Sequence, residues 1–340
     1  MLPLSIAPMM DRTDRHYRYF MRQITQHTLL YTEMVTSMAI RYGNLDKLLG
    51  FSALENPLVL QVGGDDPSLL AHCARVAADF GYCEINLNVG CPSDRVQSGN
   101  FGACLMAQPE LVAECVAAMM AASSLPVSVK HRIGVDELDG YEDMSHFVEV
   151  VSATGCQRFS VHARKAWLQG LSPKDNRTVP PLRYSDVHQL KQDFPHLQIE
   201  INGGFKDLSQ VQSQLQHVDA VMIGRAAYDN PYMLFNADQL IFGETTEPAS
   251  RYQVAESMLP YIDRMTSQGV KLHSITRHML HLFHGQPGSR IWKRTITENA
   301  CLPKAGSQVV AQALSQVRSA ADTALHHQQS AHEQLTASIL

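Results

Sequence analysis

The residues from Asn86 to Arg95 read Asn-Leu-Asn-Val-Gly-Cys-Pro-Ser-Asp-Arg, with the thiol of Cys91 held between a glycine and a proline. Glu84-Ile85 ahead of them and the alternating apolar residues predict a short buried strand, stopped by turn residues. That arrangement places a thiol at a strand tip, where it can act as a nucleophile or an acid. A free cysteine is also commonly a small buried hydrophobe, so the thiol by itself does not choose. Two glycine turns, Gly203-Gly204 following Asn202 and Gly224 preceding Arg225, suit a phosphate: glycine lets the backbone approach, and arginine clamps the charge. Lys130 has three readings, as a Schiff-base lysine, a cation against an anionic cofactor, or a structural ion pair. His162 has three as well: a donor to a ring, a proton shuttle, or a satisfied core residue.

Eight short β-type runs must position these groups: Leu4–Met9, Leu30–Val35, Leu58–Val62, Glu84–Val89, Val127–Arg132, Arg158–His162, Gln198–Ile201 and Ala220–Ile223. Helical stretches lie between them, most clearly Pro67–Phe80, Pro109–Ala122, Tyr141–Ala153 and Leu208–Leu215. Such alternation demands a parallel sheet, because parallel neighbours need crossover connections. Eight units in this length fit an N-terminal (β/α)8 TIM barrel, and no GxGxxG follows the first strand to suggest an open nucleotide-binding sheet. Barrel sites form at the C-terminal strand ends. Those ends here carry Pro8-Met9-Met10, Gln61, Asn88 and Cys91, Lys130 and Arg132, His162 and Arg164, Asn202 and Arg225.

After a polar linker at 244–250, only helical stretches follow: Gln253–Gln268, Leu272–His284, Arg290–Ala300 and Gly306–His326. The expected domains are therefore a barrel over 1–243, a small C-terminal helical bundle over 251–326, and a frayed tail over 327–340. Seven cysteines without a CxxC pair argue against a disulfide framework or a thiolate zinc site and favour a reducing, cytoplasmic setting. The N-terminus lacks a secretory pattern, and no apolar run reaches the ~18 residues of a membrane helix. Net charge is −5. Yet six basic residues face one acid between Arg158 and Arg183, and six more lie between Arg264 and Arg294 with no acid. Two basic zones on an acidic chain suggest a focused polyanion site.

Taken in order, Ala7-Pro-Met-Met-Asp-Arg-Thr-Asp14, Gln61-Val-Gly-Gly64, Asn86-Leu-Asn-Val-Gly-Cys-Pro92, Lys130-His-Arg-Ile-Gly134, His162-Ala-Arg164, Asn202-Gly-Gly204 and Gly224-Arg225 resemble the tRNA-dihydrouridine synthases. The segments His162–Arg177 and Pro287–Arg294 look like the A subfamily, tRNA-dihydrouridine(20/20a) synthases. This resemblance implies an FMN enzyme that uses NADPH to reduce D-loop uridines of tRNA, with hydride passing to C6 and a proton from Cys91 to C5. It implies that Pro8, Met9, Met10, Gln61, Lys130 and His162 contact the flavin ring, and that Asn202, Gly203, Gly204, Gly224 and Arg225 hold its phosphate. It gives Asn88, Lys174, Arg177, Arg290 and Lys293 to tRNA. No metal, no membrane association and no obligate protein partner are expected. At 293 relatives often carry arginine, and lysine keeps the charge without the bidentate fork. His273, His278, His281 and His284 read as helix-surface, tRNA-facing residues rather than metal ligands. The alternative is an FMN-dependent small-molecule pyrimidine or enoate reductase, which needs no basic bundle.

Overall fold

A computed structural model describes residues 2–337. The strands are β1 (Leu4–Ile6), β2 (Leu30–Tyr31), β3 (Val35–Thr36), β4 (Leu58–Gly63), β5 (Glu84–Val89), β6 (Val127–Arg132), β7 (Arg158–His162), β8 (Gln198–Asn202) and β9 (Ala220–Ile223). All pair in parallel, in the order β1-β9-β8-β7-β6-β5-β4-β2, with β3 also on β4. The ring closes where Ser5 bridges Leu29, through Ile6 N–H to the Leu29 carbonyl at 2.9 Å and Leu29 N–H to the Leu4 carbonyl at 3.0 Å. The result is a (β/α)8 barrel.

Local signals set the crossover helices. Helix Pro67–Phe80 opens with Asp66, whose carboxylate accepts from Leu69 N–H at 2.9 Å, and with proline in its first turn. It ends at Gly81, whose φ of 82° is the left-handed conformation that glycine reaches freely. Leu70, Cys73, Ala74 and Ala77 form its buried stripe, spaced for the barrel wall.

One expected strand is broken. From Tyr31 to Val35 the chain advances four residues while its partner advances three, from Val59 to Val62. The extra residue is a bulge, so Leu30–Val35 becomes two short strands. The Thr32 hydroxyl fills the gap by accepting the Gln61 N–H at 3.0 Å, in place of a ladder carbonyl. The first strand also stops at Ile6, three residues before the expected Met9.

Inside the barrel the two sides differ. Ala7, Leu29, Tyr31, Val59 and Met222 form an apolar cluster on one side. Glu84, Asn86, Ser128, Ser160 and Glu200, on β5 to β8, are buried polar groups. The alternate residues of each strand, such as Ile85, Leu87, Val129, Phe159 and Ile201, point outward and are fully buried.

The chain divides into two compact units: Met1–Arg15, His27–Ala226 and Leu240–Gly243 in one, and His16–Gln26, Ala227–Gln239 and Glu244–Leu340 in the other. The helical unit thus takes in two pieces expected in the barrel. Within it, the Thr25 hydroxyl donates to Asp238 at 2.7 Å and the Tyr17 hydroxyl to the Ala227 carbonyl at 3.1 Å. Its helices include Arg251–Ser257, Leu259–Ser267, Ser289–Asn299 and Ser307–Ala337. The last continues through Ala337, past residue 327 where a frayed tail is expected; residues 338–340 lie outside the described ones. The stretch expected as Leu272–His284 is helical only to Thr276. Beyond it the backbone closes tighter i to i+3 turns, His278 N–H to the Ile275 carbonyl at 3.3 Å and Met279 N–H to that of Thr276 at 3.0 Å, and the Trp292 indole N–H shares the Met279 carbonyl at 2.9 Å. Among the described residues, no helix is long and apolar enough to cross a membrane.

Candidate active site

Strand β5 delivers Asn88 to the C-terminal mouth of the barrel. Its Oδ1 accepts the backbone N–H groups of Gly90 at 3.1 Å and Cys91 at 3.0 Å, closing the turn that carries the thiol. Cys91 is half-buried, with Sγ 3.6 Å from the Ser93 hydroxyl. Gln97 Nε2 donates to the carbonyls of Pro92 and Leu168, both at 2.9 Å, and so ties this turn to the loop after β7.

Arg132 strengthens that tie. Its Nε donates to the Gly90 carbonyl, and its Nη1 to the carbonyls of Lys165 and Asn176, all at 2.9 Å. Burial pulls its pKa down to about 10. Fully buried Asn176 organises the same loop, accepting the Trp167 N–H and donating to the Trp167 carbonyl, each at 2.8 Å. The short turn Asp175–Arg177 then leaves Lys174 and Arg177 exposed.

Lys130 Nζ donates to Asn202 Oδ1 at 3.2 Å. Burial, then Arg132, brings its pKa down to about 8. His162 is pushed well below the usual range by burial and then by Arg132, Lys130, Arg164 and Arg225. At neutral pH its ring is therefore neutral, with one donor and one acceptor nitrogen. The depressed lysine has a consequence for stability. Below about pH 8 the folded chain carries a buried charge; between there and the unfolded value of about 10.5 the unfolded chain holds the extra proton, so stability rises with pH. With no anion bound, Lys130→Met is expected to raise Tm at neutral pH, and the gain to shrink as pH climbs through that window. Thermal melts across pH check it; a lower Tm at neutral pH contradicts it.

The two glycine turns differ. Gly203 and Gly204 have φ of 137° and 81°, and a Cβ on either would come within 2.8 Å of Leu182. At Gly224 a Cβ would meet only Ala7, at 4.0 Å. No neighbour there demands glycine, so the missing side chain leaves the backbone open to a ligand. Arg225 is exposed and donates to the Arg177 carbonyl at 3.1 Å. Arg225 and Arg12 both lower the pKa of Arg177, after burial, so cations converge on this side of the mouth. After β1, the Met9 carbonyl accepts from Arg12 and Thr13 N–H groups, while Met10 is 55% exposed. Gln61 is buried and bonded to Asn86 and Asn88.

The barrel thus gathers Pro8, Met9, Met10, Gln61, Asn88, Cys91, Lys130, His162, Lys174, Arg177, Asn202, Gly203, Gly204, Gly224 and Arg225 at the C-terminal side of its strands. Arg290 and Lys293 belong to the other unit, on helix Ser289–Asn299, with Lys293 Nζ 3.5 Å from His281 Nδ1. The basic zone read between Arg158 and Arg183 is corrected. Arg158 lies inside the barrel against Glu84 at 2.6 Å, Lys165 pairs with Asp139 at 2.8 Å and Arg183 with Asp186 at 3.0 Å. His278, expected on a helix surface, is 2% exposed and packs edge-on against Tyr17 and Tyr228, because its neighbours Met279, Leu282 and Phe283 bury this stretch. Sequence reasoning also missed Glu84, Asn86, Ser128 and Asn176 as builders of the site. For the first two a signal was available: polar residues at 84, 86 and 88 repeat with the two-residue period of one strand face.

The family model "Dihydrouridine synthase (Dus)" matches residues 5–319. The chain belongs to the dihydrouridine synthase family. A tRNA-dihydrouridine(20/20a) synthase of Synechocystis is 62% identical over 92% of this chain and 93% of its own length. The protein of that name from Vibrio cholerae is 57% identical over 92% and 96%. That from Escherichia coli is 56% identical over 90% and 92%. Among solved structures, the old yellow enzyme homologue of Zymomonas mobilis shares the fold, with a TM-score of 0.51 at 10% identity over 73% of this chain and 90% of that one. In (β/α)8 enzymes generally, active sites form at the C-terminal mouth of the barrel.

Proposed function

We propose that this chain reduces uridines at positions 20 and 20a of tRNA to 5,6-dihydrouridine, with bound FMN and with NADPH as the reductant. The observation that carries this is the meeting, on one barrel mouth, of a half-buried thiol, a half-buried lysine and glycine turns beside Arg225. The names of the relatives supply the substrate class.

The residues present fit such a cofactor. The bare backbone at Gly224, the left-handed Gly203-Gly204 turn and Arg225 suit its phosphate, with Asn202 beside them. Pro8, Met9, Met10, Gln61, Lys130 and His162 would border the ring. Lys130, lowered to about 8 by burial, would regain a firm charge against an anionic ring. A neutral His162 would offer the ring a hydrogen bond without adding charge. Bound FMN would supply the hydride that reaches C6 of the uracil.

The protein's own part is to hold the base and deliver a proton. A uridine reaches this mouth only by leaving its stack. Asn88 Nδ2 spends one hydrogen on Gln61 Oε1 at 2.9 Å and keeps another for the base. Cys91 then gives its proton to C5, from a turn whose backbone is fixed at both N–H and carbonyl ends. Lys174 and Arg177 would meet tRNA phosphates, as would Arg290 and Lys293 on the helical unit.

The first test incubates unmodified tRNA with protein, FMN and NADPH, and maps dihydrouridine by position. Signal at 20 and 20a is expected. A yellow, NADPH-reducible protein giving no signal would instead be a small-molecule reductase. For the interface, Lys174→Ala and Arg177→Ala are each expected to weaken tRNA binding and to flatten its log–log salt slope by about 0.9 per lost phosphate contact. An unchanged slope removes that loop from the interface.

A further inference from the structure

Beneath Cys91 an unbroken line of hydrogen bonds descends through the polar half of the barrel. The Cys91 N–H donates to Asn88 Oδ1 at 3.0 Å, and Asn88 Nδ2 to Gln61 Oε1 at 2.9 Å. Gln61 Nε2 donates to Asn86 Oδ1 at 2.8 Å, and Asn86 Nδ2 to Ser128 Oγ at 2.8 Å. The Ser128 hydroxyl donates to Glu84 Oε1 at 2.5 Å, and Arg158 Nη1 to Glu84 Oε2 at 2.6 Å. Strand register builds the line: Gln61, Asn86 and Ser128 stand in one row across β4, β5 and β6, while Glu84, Asn86 and Asn88 share one face of β5. Every member is buried except the Cys91 backbone at its top.

The direction of the line is forced from both ends. A carboxylate only accepts, so Ser128 must spend its single hydrogen on Glu84. Its oxygen must then receive a donor, so Asn86 presents its amide nitrogen downward and its oxygen upward. Gln61 must therefore donate to Asn86, and Asn88 must donate to Gln61, which leaves the Asn88 oxygen facing up. From above, the backbone N–H groups of Gly90 and Cys91 only donate, and they require that same oxygen. A reversed amide anywhere in the line would set donor against donor in a buried site.

We propose that Glu84, at the opposite end of β5 from the mouth, is the positioning residue of the Cys91 turn, acting through Ser128, Asn86, Gln61 and Asn88. This role rests on the reading of Cys91 as the proton donor. Glu84 touches no reacting atom. It orients the amides so that one oxygen holds the turn and an Asn88 N–H remains for the base.

The test measures Cys91 alkylation by iodoacetamide in the native, flavin-loaded protein, resolved by peptide and divided by alkylation at Cys301, which is exposed in the other unit. Dihydrouridine formation is measured alongside. Ser128→Ala cuts the line yet leaves the Glu84–Arg158 pair intact, and Glu84→Gln removes the anchor itself. In both, the Cys91 to Cys301 ratio is expected to rise about fivefold, the scale of one lost hydrogen bond, and dihydrouridine formation to fall. Ser128→Thr, which keeps the hydroxyl, is expected to restore both. Ser160→Ala deletes a hydroxyl that bonds Glu200 in the same barrel but off the line, and is expected to leave the ratio unchanged. An unchanged ratio in folded Ser128→Ala, or an equal rise in Ser160→Ala, overturns the proposal. If the parent protein makes no dihydrouridine, the functional reading fails while the alkylation ratio still judges the line.

Discussion

Replacing Cys91 with alanine is expected to lower dihydrouridine formation by about 10²–10⁴-fold, the range carried by a positioned proton donor, while bound flavin and its reduction by NADPH stay at the parent level. The separation follows from where the residue sits. Cys91 lies on the turn after β5, whereas the glycine turns that fit the phosphate follow β8 and β9. Removing the thiol loses only its contact with the Ser93 hydroxyl, whereas the bonds that shape the turn run through the backbone of Gly90, Cys91 and Pro92. The variant should therefore fold, bind and accept hydride, and fail only where a proton must reach the base. Stopped-flow flavin reduction and positional mapping of dihydrouridine read the two halves separately. Normal tRNA turnover by the alanine variant would remove Cys91 from the proton-donor role.

The second large effect lies at the other end of the barrel. Arg158 is buried, 2.6 Å from Glu84 and 3.8 Å from Glu200. Two buried carboxylates with their cation removed form the costly half of a broken ion pair, worth about 3–5 kcal/mol. Arg158→Met is thus expected to lower Tm by about 4–7 °C for a chain of this size. The pH dependence has a definite sign. Burial already holds the Glu84 carboxyl above its ordinary range, and Arg158 is the largest influence opposing that rise. Without Arg158 the folded pKa climbs further above the unfolded value. The fold then binds the Glu84 proton more tightly than the unfolded chain, so acidification stabilises it through that window. The deficit against the parent should be smaller near about pH 5 than near about pH 8. Melts at both values check this; a deficit that widens in acid would show that Glu84 is not the charge left exposed.

Much of the fold was legible because its signals are local. Helices Pro67–Phe80 and Pro109–Ala122 fall where proline, an apolar stripe and a closing turn residue predict them. Strands β5, β6 and β7 occupy their expected residues, each a short run bounded by turn formers. Elements governed by distant partners were harder. The bulge that splits Leu30–Val35 depends on register against β4, a strand well beyond it in the chain. The assignment of His16–Gln26 to the helical unit likewise follows from packing with residues more than two hundred positions away, such as Thr25 on Asp238.

By itself the sequence determined which groups stand at the mouth: in a parallel barrel every strand points the same way, so reading the strand ends in turn collects Gln61, Asn88, Cys91, Lys130, His162, Asn202 and Arg225. Only the tertiary structure decided the charge and aim of those groups. Arg158, one of six basic residues between positions 158 and 183, is an internal ion-pair partner because β7 starts inside the barrel beside Glu84. Lys130 and His162 lose basicity through burial and neighbouring cations brought in by other strands. The Asn88 amide faces as it does because a carboxylate on the same strand, four residues back, starts a line of bonds that crosses to β4 and β6 before returning. Composition and period place a side chain on a face; desolvation and hydrogen-bond direction depend on what the other strands set against it.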